Sequence, residues 1–274
     1  MRKMLKQAVL KILASLICIA GPASAQLAPA PIPGPTQEVV PPSISLSPAV
    51  IMARGSFGQA LTQTLTMSNQ TGAEMTFVME AFDEIVKDGK RVFVPAGELP
   101  HSVAATAVFS QKKVFVKAHS SASVDVHLTI PQETSVRAVS AMFRGTDVLP
   151  SSNAVGMTAS LATLITFNLT PNVALQPETI RVALPTETSN MNIALWISNT
   201  ATEPVVPEGL AAVLDSAGKL AGKAAFPSQR LLPGERLEFA ADFPDSLKPG
   251  AYKVLCSFQY EGKTLTTDTT FTIK

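Results

Sequence analysis

From residue 43 onwards the chain alternates apolar and polar positions with a period of two, and no window of helical length holds a 3.6-residue stripe as well. In QALTQTLTMSN, Leu61, Leu65 and Met67 share one face while Thr62, Thr64, Thr66 and Ser68 share the other. Met75, Phe77 and Met79 alternate likewise, and Asp88-Gly89 before KRVFV marks a hairpin turn. Val124, Val126, Leu128 and Ile130 then alternate with Asp125, His127 and Thr129; Val139, Ala141 and Phe143 follow, and after them Met157, Ala159, Leu161, Ile165 and Phe167. Such a series of short half-buried strands between turn signals predicts a β-sandwich.

The plan is written twice. TLTMSNQT at residues 64 to 71 returns as IALWISNT at 193 to 200, a strand ending in Ser-Asn at a turn. In each half a hairpin follows, then a strand closing in proline (Ile130-Pro131, Phe243-Pro244) and a further strand. In the second half the hairpin turns at Asp215-Ser216-Ala217-Gly218, and the Pro-Gly pairs of LLPGERLEF and LKPGAYKV each feed a strand. Length agrees, since 274 residues suit two domains better than one. The reading is an internal duplication, with one sandwich over residues 43 to 172 and another over 173 to 274. The repeated asparagine has a local reason: its side chain bonds the backbone beyond the strand and tolerates left-handed geometry.

What precedes the first strand reads differently. Arg2, Lys3 and Lys6 precede the apolar run ILASLICIA, and Ala23-Ser24-Ala25 is a small-x-small site, the order of a secretory signal peptide over residues 1 to 25 with cleavage after Ala25. Ile17 before Cys18 is bulky where a lipidation site wants a small residue. Residues 26 to 42, with Pro29, Pro31, Pro33, Pro35, Pro41 and Pro42, read as an extended Pro-rich linker. The leader takes four of the 22 cations with it and no acid, leaving eighteen against 21 acids, scattered rather than clustered. That excludes a nucleic-acid partner and leaves no membrane span after cleavage. Cys256 is then the one thiol left, so no internal disulfide supports either core, and its place in VLCSF predicts a buried, inert group.

The succession of alternation, Ser-Asn and turn, then LLPGERLEF, then LKPGAYKV, resembles the immunoglobulin-like modules of exported bacterial proteins, in particular the two-domain periplasmic pilus-assembly chaperones. The resemblance spans residues 43 to 274 and implies an all-β chain of two tandem immunoglobulin-like β-sandwich domains, the first like a chaperone N-terminal domain. It implies a periplasmic or secreted protein whose partner is another envelope or surface protein, and a strand late in the first domain that is lent to a subunit lacking one. The segment 157 to 168 takes that part, with Leu161, Ile165 and Phe167 as candidate binding residues; the same alternation equally serves a core face. The family anchors a subunit's carboxylate with an arginine in the first strand and a lysine in the last strand of domain one. Here SISLSPAVIM has no cation, and no lysine or arginine lies between Arg144 and Arg181.

Little points to catalysis. His101, His119 and His127 fall in no metal-ligand spacing, Asp125 and His127 share an outward strand face, and neither a nucleophile elbow nor a phosphate-binding glycine loop is present. The acids of AFDEIVKDGKR lack cation-loop spacing. The expectation is a protein without catalytic residues, metal or cofactor, acting through domain surfaces and strand edges as a binding or structural envelope protein; the alternative is a periplasmic chaperone for pilus or other surface subunits. Trp196, the only tryptophan, falls opposite Ile193, Leu195 and Ile197, which places it at the domain junction or in an external binding patch. Phe82, out of step with Phe77 and Met79, suggests a bulge.

Overall fold

The computed structural model describes residues 43 to 146 and 158 to 274; the segments expected to be a leader and a Pro-rich linker, and Met157, lie outside them. The first sandwich is built from β1 (Ile44–Ser47), β2 (Val50–Arg54), β3 (Ala60–Asn69), β4 (Met75–Lys87), β5 (Lys90–Pro95), β6 (Val108–Phe109), β7 (Lys113–Val116), β8 (Ser120–Thr129), β9 (Ala138–Gly145) and β10 (Ser160–Asn168). One sheet runs β1-β3-β8-β6 and the other β2-β10-β9-β4-β5, with β7 also on β4. The second comprises β11 (Leu175–Pro177), β12 (Arg181–Ala183), β13 (Met191–Asn199), β14 (Glu208–Asp215), β15 (Leu220–Phe226), β16 (Arg236–Phe243), β17 (Gly250–Tyr260) and β18 (Lys263–Ile273). Its sheets are β11 and β12 on β13 with β16 beyond, and β15-β14-β17-β18. In pairing order β3, β4, β8, β9 and β10 correspond to β13, β14, β16, β17 and β18, which is the duplication seen in the sequence.

The inward side chains of these strands make two separate cores. Leu65, Met67, Phe77 and Phe143 are fully enclosed in the first, and Ile193, Leu195, Phe239 and Phe258 in the second. Complete burial of each such side chain contributes roughly 1.5–3 kcal/mol, which suits domains without a disulfide. Cys256 is buried in the second core, where loss of hydration pushes its thiol up to about 12.

Two expectations change. The stretch SISLSPAVIM is not one strand: β1 pairs antiparallel with β3 in one sheet, the chain crosses at Pro48, and β2 pairs parallel with β10 in the other. Phe82 needs no bulge. The β4–β9 register is continuous from Phe77 to Glu84, and Phe82 sits half-buried on the outward face opposite Ser140 and Pro95.

Asn69 and Asn199 are both buried and do the same work. The Asn69 amide donates to the carbonyls of Ala73 (2.8 Å), Val116 and Lys117 (3.2 Å each), and its oxygen accepts from the Thr71 amide (3.0 Å). The Asn199 amide donates to Glu203 O (2.8 Å) and Leu231 O (3.2 Å), and its oxygen accepts from Ala201 N (3.1 Å). Neither asparagine has a positive φ. Each satisfies a tight turn and ties it to a distant segment.

Candidate functional site

β10 lies beside β9, and which of its residues face β9 follows from two bonds: Gly145 N donates to Ala159 O (3.1 Å) and Phe167 N to Arg137 O (2.9 Å). Odd-numbered residues therefore bond β9, and even-numbered ones present N–H and C=O to the opposite edge. From Leu164 onward β2 occupies that edge, with Leu164 N donating to Ala49 O (3.0 Å) and the register running from Leu164 with Val50 to Asn168 with Arg54. Ahead of Leu164 no described strand takes the outward groups of Ser160 and Ala162. β1, at the same level, belongs to the opposite sheet, where β3 covers one of its edges and nothing described covers the other. Among the described residues the first sandwich is thus open along a seam between β1 and the start of β10.

Side chains sort the candidates along this strand. Ile165 and Phe167 are wholly enclosed in the core, while Leu161 is half-buried, packed on the core at the rim of the seam. Thr163 and Thr166 are also fully buried, and their hydroxyls close the junction with the Pro48 crossing and β2: Thr163 Oγ1 donates to Pro48 O (2.7 Å) and Thr166 Oγ1 to Ile51 O (3.2 Å). Beyond the seam, Val50 and Met52 stand 52% and 46% exposed beside Leu164, and with Leu237 and Arg230 they line a groove of about 520 Å³ between the sandwiches.

Charge gathers around this groove from both sandwiches. Arg91 makes a two-pronged pair with Glu235 (2.7 and 3.0 Å) and donates to Arg230 O (2.6 Å). Arg230 is half-buried; its Nε and Nη1 have no partner among the described residues, and burial first, then the neighbouring Arg91, hold its pKa below the usual arginine range against the pull of Glu84. Glu84 is buried and accepts a bond from Ser140 Oγ, with its second oxygen unpaired among the described residues. Deeper in the junction Arg137 meets Glu203 (3.1 Å), with both side chains out of solvent. Glu203 also accepts from Leu169 N and Thr170 Oγ1 (2.9 Å each), so it clasps the connection between the sandwiches as well as the cation. None of this was legible in the sequence, because each partner pair is 33 or more positions apart and lies in unremarkable loop or strand-end text.

The other singled-out residues are dispersed. Trp196 lies on the outer face of the β13 sheet, where the Arg236 guanidinium stacks 4.0 Å above its ring and is held by Glu178 (2.5 and 2.8 Å). That bond keeps the Glu178 carboxyl below its ordinary range and raises Arg236. One face of the half-buried ring is thus covered by a cation of its own sheet. His127 Nδ1 and Asp125 Oδ1 bond Thr62 Oγ1 (2.8 Å) and Thr64 Oγ1 (2.7 Å), rungs of a cross-strand ladder on an exposed face rather than partners of each other. His101 and His119 occupy left-handed turns, φ 53° each. Asp83 points inward and accepts from Ala104 N (2.8 Å), Glu84 points outward, and Asp88 is in the hairpin turn, so the acids of AFDEIVKDGKR do not converge. Among the described residues no group of His, Cys, Asp and Glu could hold a metal ion, and no helix is long and apolar enough to cross a membrane.

No family model matches the chain, and no curated protein matches it. Among solved structures it is similar to the class 5 fimbriae chaperone CfaA, at 12% identity and TM-score 0.43 over 82% of this chain and 98% of that one. It is similar also to a chain of the CsuC-CsuE chaperone and tip-subunit pre-assembly complex of Acinetobacter baumannii, at 11% identity and TM-score 0.42 over 82% and 97%. A chain of the Salmonella enterica SafA pilin in complex with the SafB chaperone matches at 13% and 0.39, over 84% and 96%. The two-sandwich fold is given by this chain's own strand pairing, and no residue role passes to it from these structures.

Proposed function

We propose that this chain is a non-enzymatic, exported protein of the bacterial envelope that binds a partner protein by strand addition at the seam beside β10, in the role of a periplasmic chaperone for a surface-structure subunit. The observation that carries the reading is the half-covered edge: β2 satisfies β10 from Leu164 onward, and no described strand takes the outward N–H and C=O of Ser160 and Ala162. Unsatisfied strand edges are templates for pairing, and proteins that do not use them blunt them with charge or proline. Here the open stretch is Ser160-Leu161-Ala162-Thr163, with neither. An added strand would gain main-chain bonds at Ser160 and Ala162 and an apolar contact at Leu161, and would end where β2 takes over the edge at Leu164. Ile165 and Phe167 serve indirectly, holding β10 rigid from within the core. The periplasmic or secreted location rests on the leader over residues 1 to 25.

Ala162→Pro tests this. The Ala162 N–H points to the open edge, so proline there removes no bond of the fold but blocks an incoming strand. The mature wild-type protein should retain a partner from its native envelope extract that Ala162→Pro does not, and in the complex the amides of Ser160 and Ala162 should exchange more slowly with solvent. Equal retention by the variant, with no added protection at those two amides, would overturn the reading.

A further inference from the structure

The counterpart of β10 in the second sandwich is β18, and among the described residues nothing equivalent to β2 lies against it. β18 is an edge strand of 11 residues, paired with β17 along its whole length and with no described strand on its other side. The Glu261-Gly262 turn, with φ of 44° and 74°, is a two-residue hairpin closed by the Tyr260 and Lys263 pair. That fixes the phase: odd-numbered residues of β18 bond β17, and Thr264, Thr266, Asp268, Thr270 and Thr272 turn their N–H and C=O outward. Leu265 and Phe271 point inward yet remain half-exposed, whereas Val254, Cys256 and Phe258 on the adjacent strand are fully covered. The sandwich is therefore open on both the backbone and the side-chain account along this edge.

The strand's sequence says what fits there. Thr-Leu-Thr-Thr-Asp-Thr-Thr-Phe-Thr, residues 264 to 272, reads nearly the same in both directions about Asp268. An antiparallel copy related by a two-fold axis at Asp268 sets Thr264 against Thr272, Thr266 against Thr270 and Thr267 against Thr269. It also sets Leu265 against Phe271, whose ring already stacks on Tyr252 at 5.6 Å. Every outward N–H and C=O then finds a partner, and the apolar pairs fall at the closely spaced, non-hydrogen-bonded positions. Asp268 meets its own copy on the axis at a widely spaced position, and Lys253 holds each carboxylate at 2.9 Å, so the charges at the centre balance. We propose that β18 is a self-association edge: two copies of this chain pair β18 to β18 in an isologous antiparallel contact that joins two four-stranded sheets into one.

Two measurements test it on the mature chain. Thr266→Pro and Thr270→Pro each remove an outward N–H that the monomer does not use. Sedimentation velocity over a concentration series should show a reversible wild-type dimer and a dissociation constant raised by about tenfold or more in each variant, with melting still cooperative. Asp268→Cys places a thiol on the axis and should give a disulfide-linked dimer on mild oxidation, while Thr264→Cys, set against Thr272 of the other copy, should not; Cys256 is buried and does not compete. A wild-type chain monomeric into the high-micromolar range, association unaltered by both prolines, or cross-linking through residue 264 but not 268 would each overturn the proposal.

Discussion

Single residues in this fold matter most where one side chain closes several backbone groups at once. Asn199 is the strongest case, since truncation would strand the carbonyl of Glu203 and the amide of Ala201, and would leave Leu231 O with the Val205 N–H alone. At about 1 kcal/mol for each orphaned group, Asn199→Ala should cost about 2 kcal/mol, read as a lower midpoint with unchanged slope in denaturant unfolding. The sequence showed the repeated Ser-Asn and the reason for a short polar acceptor at a turn. It could not show Val116 or Leu231, because a side chain's second bond to a segment 47 or 32 positions away leaves no local pattern. Trp196 marks the same boundary from the other side. Its outward face was legible from alternation, but the cation that covers it is set by pairing with β16, which the text of β13 does not carry.

Strands were the most legible level, because a period of two states both the element and its buried face. Most of the residues assigned to inner faces are in the cores, among them Met75, Phe77, Val139, Phe143 and Ile193. What alternation cannot state is which neighbour a strand takes. It gave β10 an inner face and left open whether that face lent itself to a partner; in the structure Ile165 and Phe167 are buried, and no described strand pairs the outward edge at Ser160 and Ala162. It also ran β1 and β2 together, since a strand that changes sheets keeps its period. The buried Thr163 marks that change. Thr163→Val keeps the shape but leaves Pro48 O without its donor, so it should cost about 1–2 kcal/mol and speed amide exchange at Leu164, the first residue that β2 covers.

Across the molecule, the junction pairs have one sense: Arg54, Arg91 and Arg137 of the first sandwich meet Glu261, Glu235 and Glu203 of the second. They differ in worth. Arg54 is largely in solvent and its pair contributes little, whereas Arg137 and Glu203 are enclosed, and removing one would leave the other charge buried. Glu203→Ala should therefore cost about 3–5 kcal/mol and turn a single unfolding transition into two, as each core then melts by itself. Overlapping transitions in the variant and the wild type would show that the sandwiches are coupled by something else. The half-cover that β2 lays along β10 has a last effect. Two unlike open edges on one chain are the recipe for head-to-tail growth without end, and a neighbour's eleven-residue β18 offered to β10 would collide with β2 after its first few residues. On the strand-pairing proposed above, that obstruction would hold assembly to a finite size.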